Sequence, residues 1–365
     1  MSTTHHLQRP AAGLALCALV LSACTPSIAP GTTLTTDPFP GNPPRPATAH
    51  ANADTPPASA DPAASTALVG PTPSTGRSLV RVLLAPDATL PEALVADFHA
   101  TTGYALQIEQ AHNAADTAAD VLVGFDGGAI LRLRPTLAAQ TPEGFQPPQA
   151  ASIEQVPAAL PYAHDDVCVL ADTQWYAANR LTPPATISDL SAADNAARLI
   201  VPSPKDSPAG ASFVHLIAAT QGAQMSAWLT SMKAAGMQVL PVDEAHAAWT
   251  LNGGARPLAV APLSQAARAV TNTGTESYLA PIAGSCVSRT LYVAQHGQAT
   301  NPEGAHSFMA YLYTRPAQAL LASQGAAFPL DTEQATNTVT GVYAAPREDA
   351  APLTAEQLQP TPQGW

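Results

Sequence analysis

The sequence predicts a two-lobed α/β protein, and three observations carry that prediction. Short β-type apolar runs alternate with amphipathic helical patterns along most of the chain. The stretch that shows this alternation, Leu79 to Tyr343, is roughly 265 residues, more than one hydrophobic core usually serves. The flanking sequence has a different composition and adds nothing to a core.

The amino-terminal part reads as a processing signal. Arg9 supplies a positive charge, and Ala11 to Ala23 is an apolar run too short for a permanent membrane span. It ends in Leu21-Ser22-Ala23-Cys24, small residues before a cysteine, which reads as a lipobox with Cys24 as the lipidated residue. The plainer alternative is an ordinary secretory signal with a chance cysteine. A diacylglycerol on Cys24 carries two chains, enough for stable anchoring where one is marginal. Residues 1–24 are thus the expected signal, and 25–78 the expected tether. The tether holds about a dozen prolines among Ala, Thr, Ser and Gly, a composition that cannot offset its own ordering entropy. Residues 346–365 have similar character and read as a flexible tail.

Within the folded part, Val80 to Leu84 is a strand, and Pro91 suits the first turn of a helix that buries Leu94 and Phe98 and stops at Gly103. Ala105 to Glu109 alternates as a strand. Val121 to Phe125 is a buried-type strand bounded by Asp126-Gly127-Gly128, which reads as a turn. Val167 to Leu170 and Leu199 to Val201 are further strands. Ser207-Pro208 reads as a cap and first turn, with Phe213, Leu216 and Ile217 on the inner face. Met225, Trp228, Leu229 and Met232 stripe a helix that Gly236 stops, and the stripe reads as core. Met237 to Leu240 and Leu258 to Val260 are strands. Asn301-Pro302-Glu303 opens a helix with Ala305, Phe308, Met309 and Leu312 inward.

Composition narrows the function. A net charge of −12 argues against nucleic acid or anionic lipid as a partner, and fits either a cationic ligand or plain solubility. No nucleophile elbow, P-loop or dinucleotide fingerprint is present, and no His/Cys/carboxylate spacing resembles a zinc site, so neither a metal nor a cofactor is expected. After lipidation and signal removal two cysteines remain, Cys168 and Cys286. In an oxidising compartment they read as one disulfide.

Several segments in order resemble the thiamine-binding proteins of ABC importers, and more loosely their iron-binding relatives. Ala119 to Asp126 (ADVLVGFD) is similar to that family's "ADVVFGID" strand, and Leu160 to Cys168 (LPYAHDDVC) to its "IPVDYGDVC" crossover. Pro204 to Gly210 stands where the family starts a helix with Ser/Thr-Pro-Gly. Asp243 to His246 resembles "WSEAY", and Asn301 to Ala305 matches "NPEGA". The resemblance implies a two-lobed periplasmic-binding-protein fold of type II. Lobe I would comprise 79–164 and 285–345, lobe II 165–284, with a ligand in the cleft between them. It further implies an ABC permease as membrane partner and an extracytoplasmic, monomeric receptor.

The departures from the family pattern fall where thiamine would be gripped. Val242 and His246 replace an aromatic pair, Ala163 and His164 replace the crossover Asp and Tyr, and Phe328 follows small Ala326 and Ala327. Each lost ring removes a contact of about 0.5–2 kcal/mol, so thiamine itself is expected to bind weakly. The candidate ligand-binding residues are Asp87, Asp126, Tyr162, His164, Ser207, Glu244, His246 and Phe328, and a small cation is the expected solute. The acids and Ser207 have a plainer reading as helix caps, and the histidines as structural groups. Two other functions stay open. One is a surface lipoprotein that kept the lobes and lost the ligand. The other is a thiol enzyme of the thiamine-degrading type that uses Cys168.

Overall fold

A computed structural model describes residues 79–111, 119–140, 151–270 and 274–358. Cys24, the signal and the tether lie outside these residues. The chain builds two sheets, each covered by helices, and each with apolar clusters on both faces.

The first lobe opens with β1 (Leu79–Leu84), α1 (Glu92–Thr102), β2 (Ala105–Gln110), β3 (Val121–Phe125) and α2 (Gly127–Leu133). β4 (Ala159–His164) then leads out of it. α1 ends where the sequence predicts, at Gly103 in a left-handed conformation (φ 78°) that glycine adopts without strain.

The second lobe contains β5 (Val167–Asp172), α3 (Thr173–Ala178), α4 (Ala193–Ala196), β6 (Leu199–Pro202) and α5 (Pro208–Gln221). It continues with α6 (Met225–Ala234), β7 (Gln238–Leu240), α7 (Val242–Ala248), β8 (Leu258–Pro262), α8 (Ser264–Arg268) and β9 (Leu279–Pro281). The chain returns through β10 (Thr290–Gln295), α9 (Pro302–Leu312), α10 (Arg315–Ser323), β11 (Phe328–Pro329) and α11 (Val339–Tyr343).

Strand order is β11-β4-β10-β3-β1-β2 in the first sheet and β7-β6-β8-β5-β9 in the second. β1 lies parallel to both β2 and β3, and β6 parallel to both β7 and β8. β10 runs antiparallel between β3 and β4. The carboxyl ends of β1 and β3 are therefore neighbours, and open sheets of this kind place ligands at such ends.

The connection between lobes is an antiparallel ribbon. Val167 and Val287 exchange backbone bonds of 3.0 and 2.8 Å, and the Asp165 amide donates to the Arg289 carbonyl at 3.0 Å. Cys168 and Cys286 are joined by a disulfide beside this ribbon, with Cα atoms 4.1 Å apart.

Two sequence expectations are corrected. Asp126-Gly127-Gly128 is a helix start, not a turn: the Asp126 carboxylate accepts the Ala129 amide at 2.8 Å and caps α2. Residues 346–358 of the expected flexible tail are ordered by pairing with distant chain. Ala351 donates to the Cys286 carbonyl (2.8 Å) and accepts from the Ser288 amide (3.0 Å), which extends the ribbon by one bridge.

Candidate functional site

The site is built where the β1 loop of lobe I meets the start of α5 in lobe II. Gly124 in β3 has φ 81°, and a Cβ there would overlap the Ala88 methyl. Glycine lets the 85–88 loop fold down on β3, where Ala85 donates to Val123 O at 2.9 Å. Asp87 is thereby aimed across the gap. Its carboxylate accepts the Ala209 amide at 2.6 Å and lies 3.5 Å from the Ser207 hydroxyl. Ser207 is the cap of α5 and accepts the Gly210 amide at 3.0 Å. The free amides of a helix start thus hold a carboxylate from the opposite lobe.

Beneath this contact lies Arg289, which is 2 % exposed. Its guanidinium stands 3.7 Å from Asp87 and 3.8 Å from Asp165, and its Nε donates to the Asp165 carbonyl at 3.0 Å. Asp165 also accepts the Ser264 amide at 2.9 Å. Asp166 accepts the amides of Arg289 (3.3 Å) and Arg347 (2.8 Å).

Burial pushes the Asp87 carboxyl above the ordinary carboxylate range; Arg289 and the Ala209 amide oppose this, and the charge of Asp126 adds to it. Burial likewise raises Asp165, against the pull of Arg289. It takes Asp166 to about 6. Burial, with the charge of Asp165, also holds the Tyr162 hydroxyl above its usual value.

The predicted site residues separate into groups. Asp87 and His246 line one inter-lobe cavity with Ala209, Val242, Ala245 and Trp249; Ser207 does not line it but stands 3.5 Å from Asp87. That cavity is about 20 Å³, room for about one water in this closed arrangement. Asp126 and Tyr162 are buried behind it in lobe I. His164 and Phe328 face each other across β4 and β11, with His164 Nδ1 3.4 Å from the Thr290 hydroxyl, and burial holds that imidazole below its usual pKa. They do not line the cavity. Glu244 is exposed on α7 and does not line it either. Cys168 sits in the disulfide, so it offers no thiolate for nucleophilic chemistry. Among the described residues, no group of three or more His, Cys, Asp or Glu is placed to hold a metal ion.

Arg289 was not anticipated. The signal available was the pair Asp165-Asp166 on an apolar crossover, since two buried acids require a nearby cation. Trp249 is buried and also reaches the cavity.

The sequence matches the family described as bacterial extracellular solute-binding protein over residues 80–327. The chain belongs to that family. Solute-binding proteins of this family are extracytoplasmic, and among the described residues no helix is long and apolar enough to cross a membrane.

Solved structures place the fold as well. A periplasmic thiamin-binding protein superposes with TM-score 0.60 at 14% identity, covering 77% of this chain and 91% of that one. The apo ferric ion-binding protein A of Pasteurella haemolytica gives 0.58 at 14%, covering 77% and 93%. A Listeria monocytogenes protein described as a spermidine/putrescine ABC transporter gives 0.56 at 14%, covering 77% and 95%. These likenesses establish the two-lobed type II fold. No curated protein matches the sequence.

Proposed function

We propose that this solute-binding protein captures a small cationic solute between its lobes and delivers it to an ABC permease, working as a monomer fixed to the membrane through Cys24. The observation that carries the reading is the placement of Asp87 and Asp126. They follow the adjacent parallel strands β1 and β3, and Asp87 lines the inter-lobe cavity while Asp126 is buried in lobe I. Arg289 is shared between Asp87 and Asp165, one cation against two buried acids, so a cationic solute beside Asp87 supplies a further counter-charge.

The cavity wall favours a compact solute over thiamine. Val242 and His246 stand where the thiamine-binding pattern has rings, and Trp249 is the aromatic side chain in the lining. For a solute to enter, the Asp87 to Ala209 contact must open, because the closed cavity holds about one water.

A thermal-shift panel of thiamine, its phosphates, putrescine and spermidine, with citrate as the anionic control, tests the reading. A solute at a hundred times its dissociation constant adds about 2.7 kcal/mol. Stabilisation by a cation and not by citrate supports the proposal. Stabilisation by citrate alone overturns the charge preference. No stabilisation by any member favours a surface lipoprotein that kept the lobes without the solute.

A further inference from the structure

Residues 346–358 have no role in the reading above, yet they touch both lobes. The segment is rooted at the inter-lobe ribbon. The Arg347 amide donates to Asp166 (2.8 Å), the Asp349 carboxylate accepts the Gly284 amide (2.9 Å), and Ala351 bridges Val287. Leu353 then packs on the core of lobe II, and Ala355 on that of lobe I. Leu358 is buried and its carbonyl accepts from Arg132 of α2 at 3.2 Å. Burial holds the His215 imidazole, on α5 of lobe II, below its usual pKa, and a hydrogen bond with the Leu358 backbone opposes this. Leu358 therefore sits between α2 and α5, helices of opposite lobes.

The start of α2 is shaped to receive it. A Cβ on Gly128 would come 2.5 Å from Leu358 O and 2.7 Å from its Cβ, and one on Gly127 would come 2.8 Å from the Ala355 methyl. Two consecutive glycines in a helical turn are unfavourable by up to about 1 kcal/mol each relative to alanine. Neither has a positive φ that would require glycine. Close approach of the strap accounts for both.

We propose that residues 346–358 form a strap that fastens the lobes in the closed form, and that its Leu358 end must leave the α2–α5 groove before the lobes part to exchange solute. The strap regulates the cleft assigned above as the solute site, and in that respect it rests on that assignment. Its root at Asp166 and the ribbon stays attached while its far end moves, so release of Leu358 is a local step. Pro346 and Pro352 restrict the free strap and lower the entropy lost on docking.

Amide hydrogen exchange on the intact chain tests this without solute. The Ala209 amide is bonded to Asp87 and reports closure. The Leu358 amide, bonded to the Thr354 carbonyl at 3.0 Å, reports the strap end. Gly128→Ala raises the helix propensity of α2 while colliding with Leu358, and Leu358→Asp removes the apolar anchor and leaves α2 untouched. Both variants should speed exchange at Leu358 and at Ala209, with core amides such as that of Val123 unchanged. Faster exchange at Leu358 with Ala209 still protected as in the parent would overturn the proposal. So would an unaltered Leu358 amide in both variants, because the seat would then not be the tight one on which the proposal stands. The solute panel can succeed or fail independently of either result.

Discussion

Replacing Arg289 by methionine keeps most of the side-chain volume and removes the cation shared by Asp87 and Asp165. Arg289 is almost fully buried, so the two carboxylates are left in a low-dielectric site without a counter-charge. Breaking a buried pair from one side costs about 3–5 kcal/mol. At about 2–4 °C per kcal/mol for a protein of this size, the midpoint of thermal unfolding should fall by about 6–20 °C. The loss must also depend on pH. Asp87 and Asp165 already sit above the ordinary carboxylate range, and without Arg289 they rise further. A carboxyl whose folded pKa is raised contributes stability below its unfolded pKa and loses it as pH rises through the folded value. Arg289→Met should therefore be close to the parent at about pH 5 and furthest below it at about pH 8. Urea or thermal unfolding at the two pH values measures this. A loss under about 1 kcal/mol at the higher pH, or one independent of pH, would refute the assignment of Arg289 as the shared counter-charge.

Three further outcomes follow from the same geometry. Asp166 is raised from 3.8 to about 6 by burial, so the parent should gain up to about 3 kcal/mol relative to Asp166→Asn as pH falls from about 7 to about 4; parallel pH profiles of the two proteins would contradict it. The mature protein, unfolded without reductant, should show no reactive thiol at Cys168 or Cys286, and the chain-entropy estimate for a loop of this length gives a loss of about 4–5 kcal/mol on reduction; two titratable thiols would contradict the pairing. Cys24→Ala should leave the processed protein in the soluble extracytoplasmic fraction, and continued membrane attachment would contradict lipidation at Cys24.

Much of the fold was legible because local signals and tertiary position agree. Val80 to Leu84 and Val121 to Phe125 are short apolar runs closed by turn or cap residues, and each is a buried strand. Ser207 and Asn301 cap the helices that their spacing predicts, with Gly210 and Gly304 amides as donors. What the sequence hid depends on partners far along the chain. Arg289 reads as an isolated charge until Asp165, 124 positions away, is placed beside it. The strap has a tail-like composition, and its order comes from Cys286, Ser288 and the start of α2. The glycine pair at 127–128 misled for the same reason: the residues that suggest a turn are there to admit Leu358. Among the candidate site residues, Asp87 and Ser207 were recognisable as strand-end and cap positions, and the structure brings the two side chains within 3.5 Å. The exposure of Glu244 was not, because one helical turn gives no sign of which side faces the cleft.

The proposed cationic solute sits in the inter-lobe cavity beside Asp87, with Asp126 buried in the same lobe. Calorimetric titration of the parent and of Asp126→Asn with thiamine, putrescine and spermidine tests this most directly. Asparagine preserves the α2 cap, so the substitution removes charge with little change in structure. At least one of the three should bind the parent, and its affinity should fall in the variant by about 1.5–3 kcal/mol, roughly 10- to 150-fold. Equal affinity in the two proteins, or no binding of any of the three to the parent, would contradict the account.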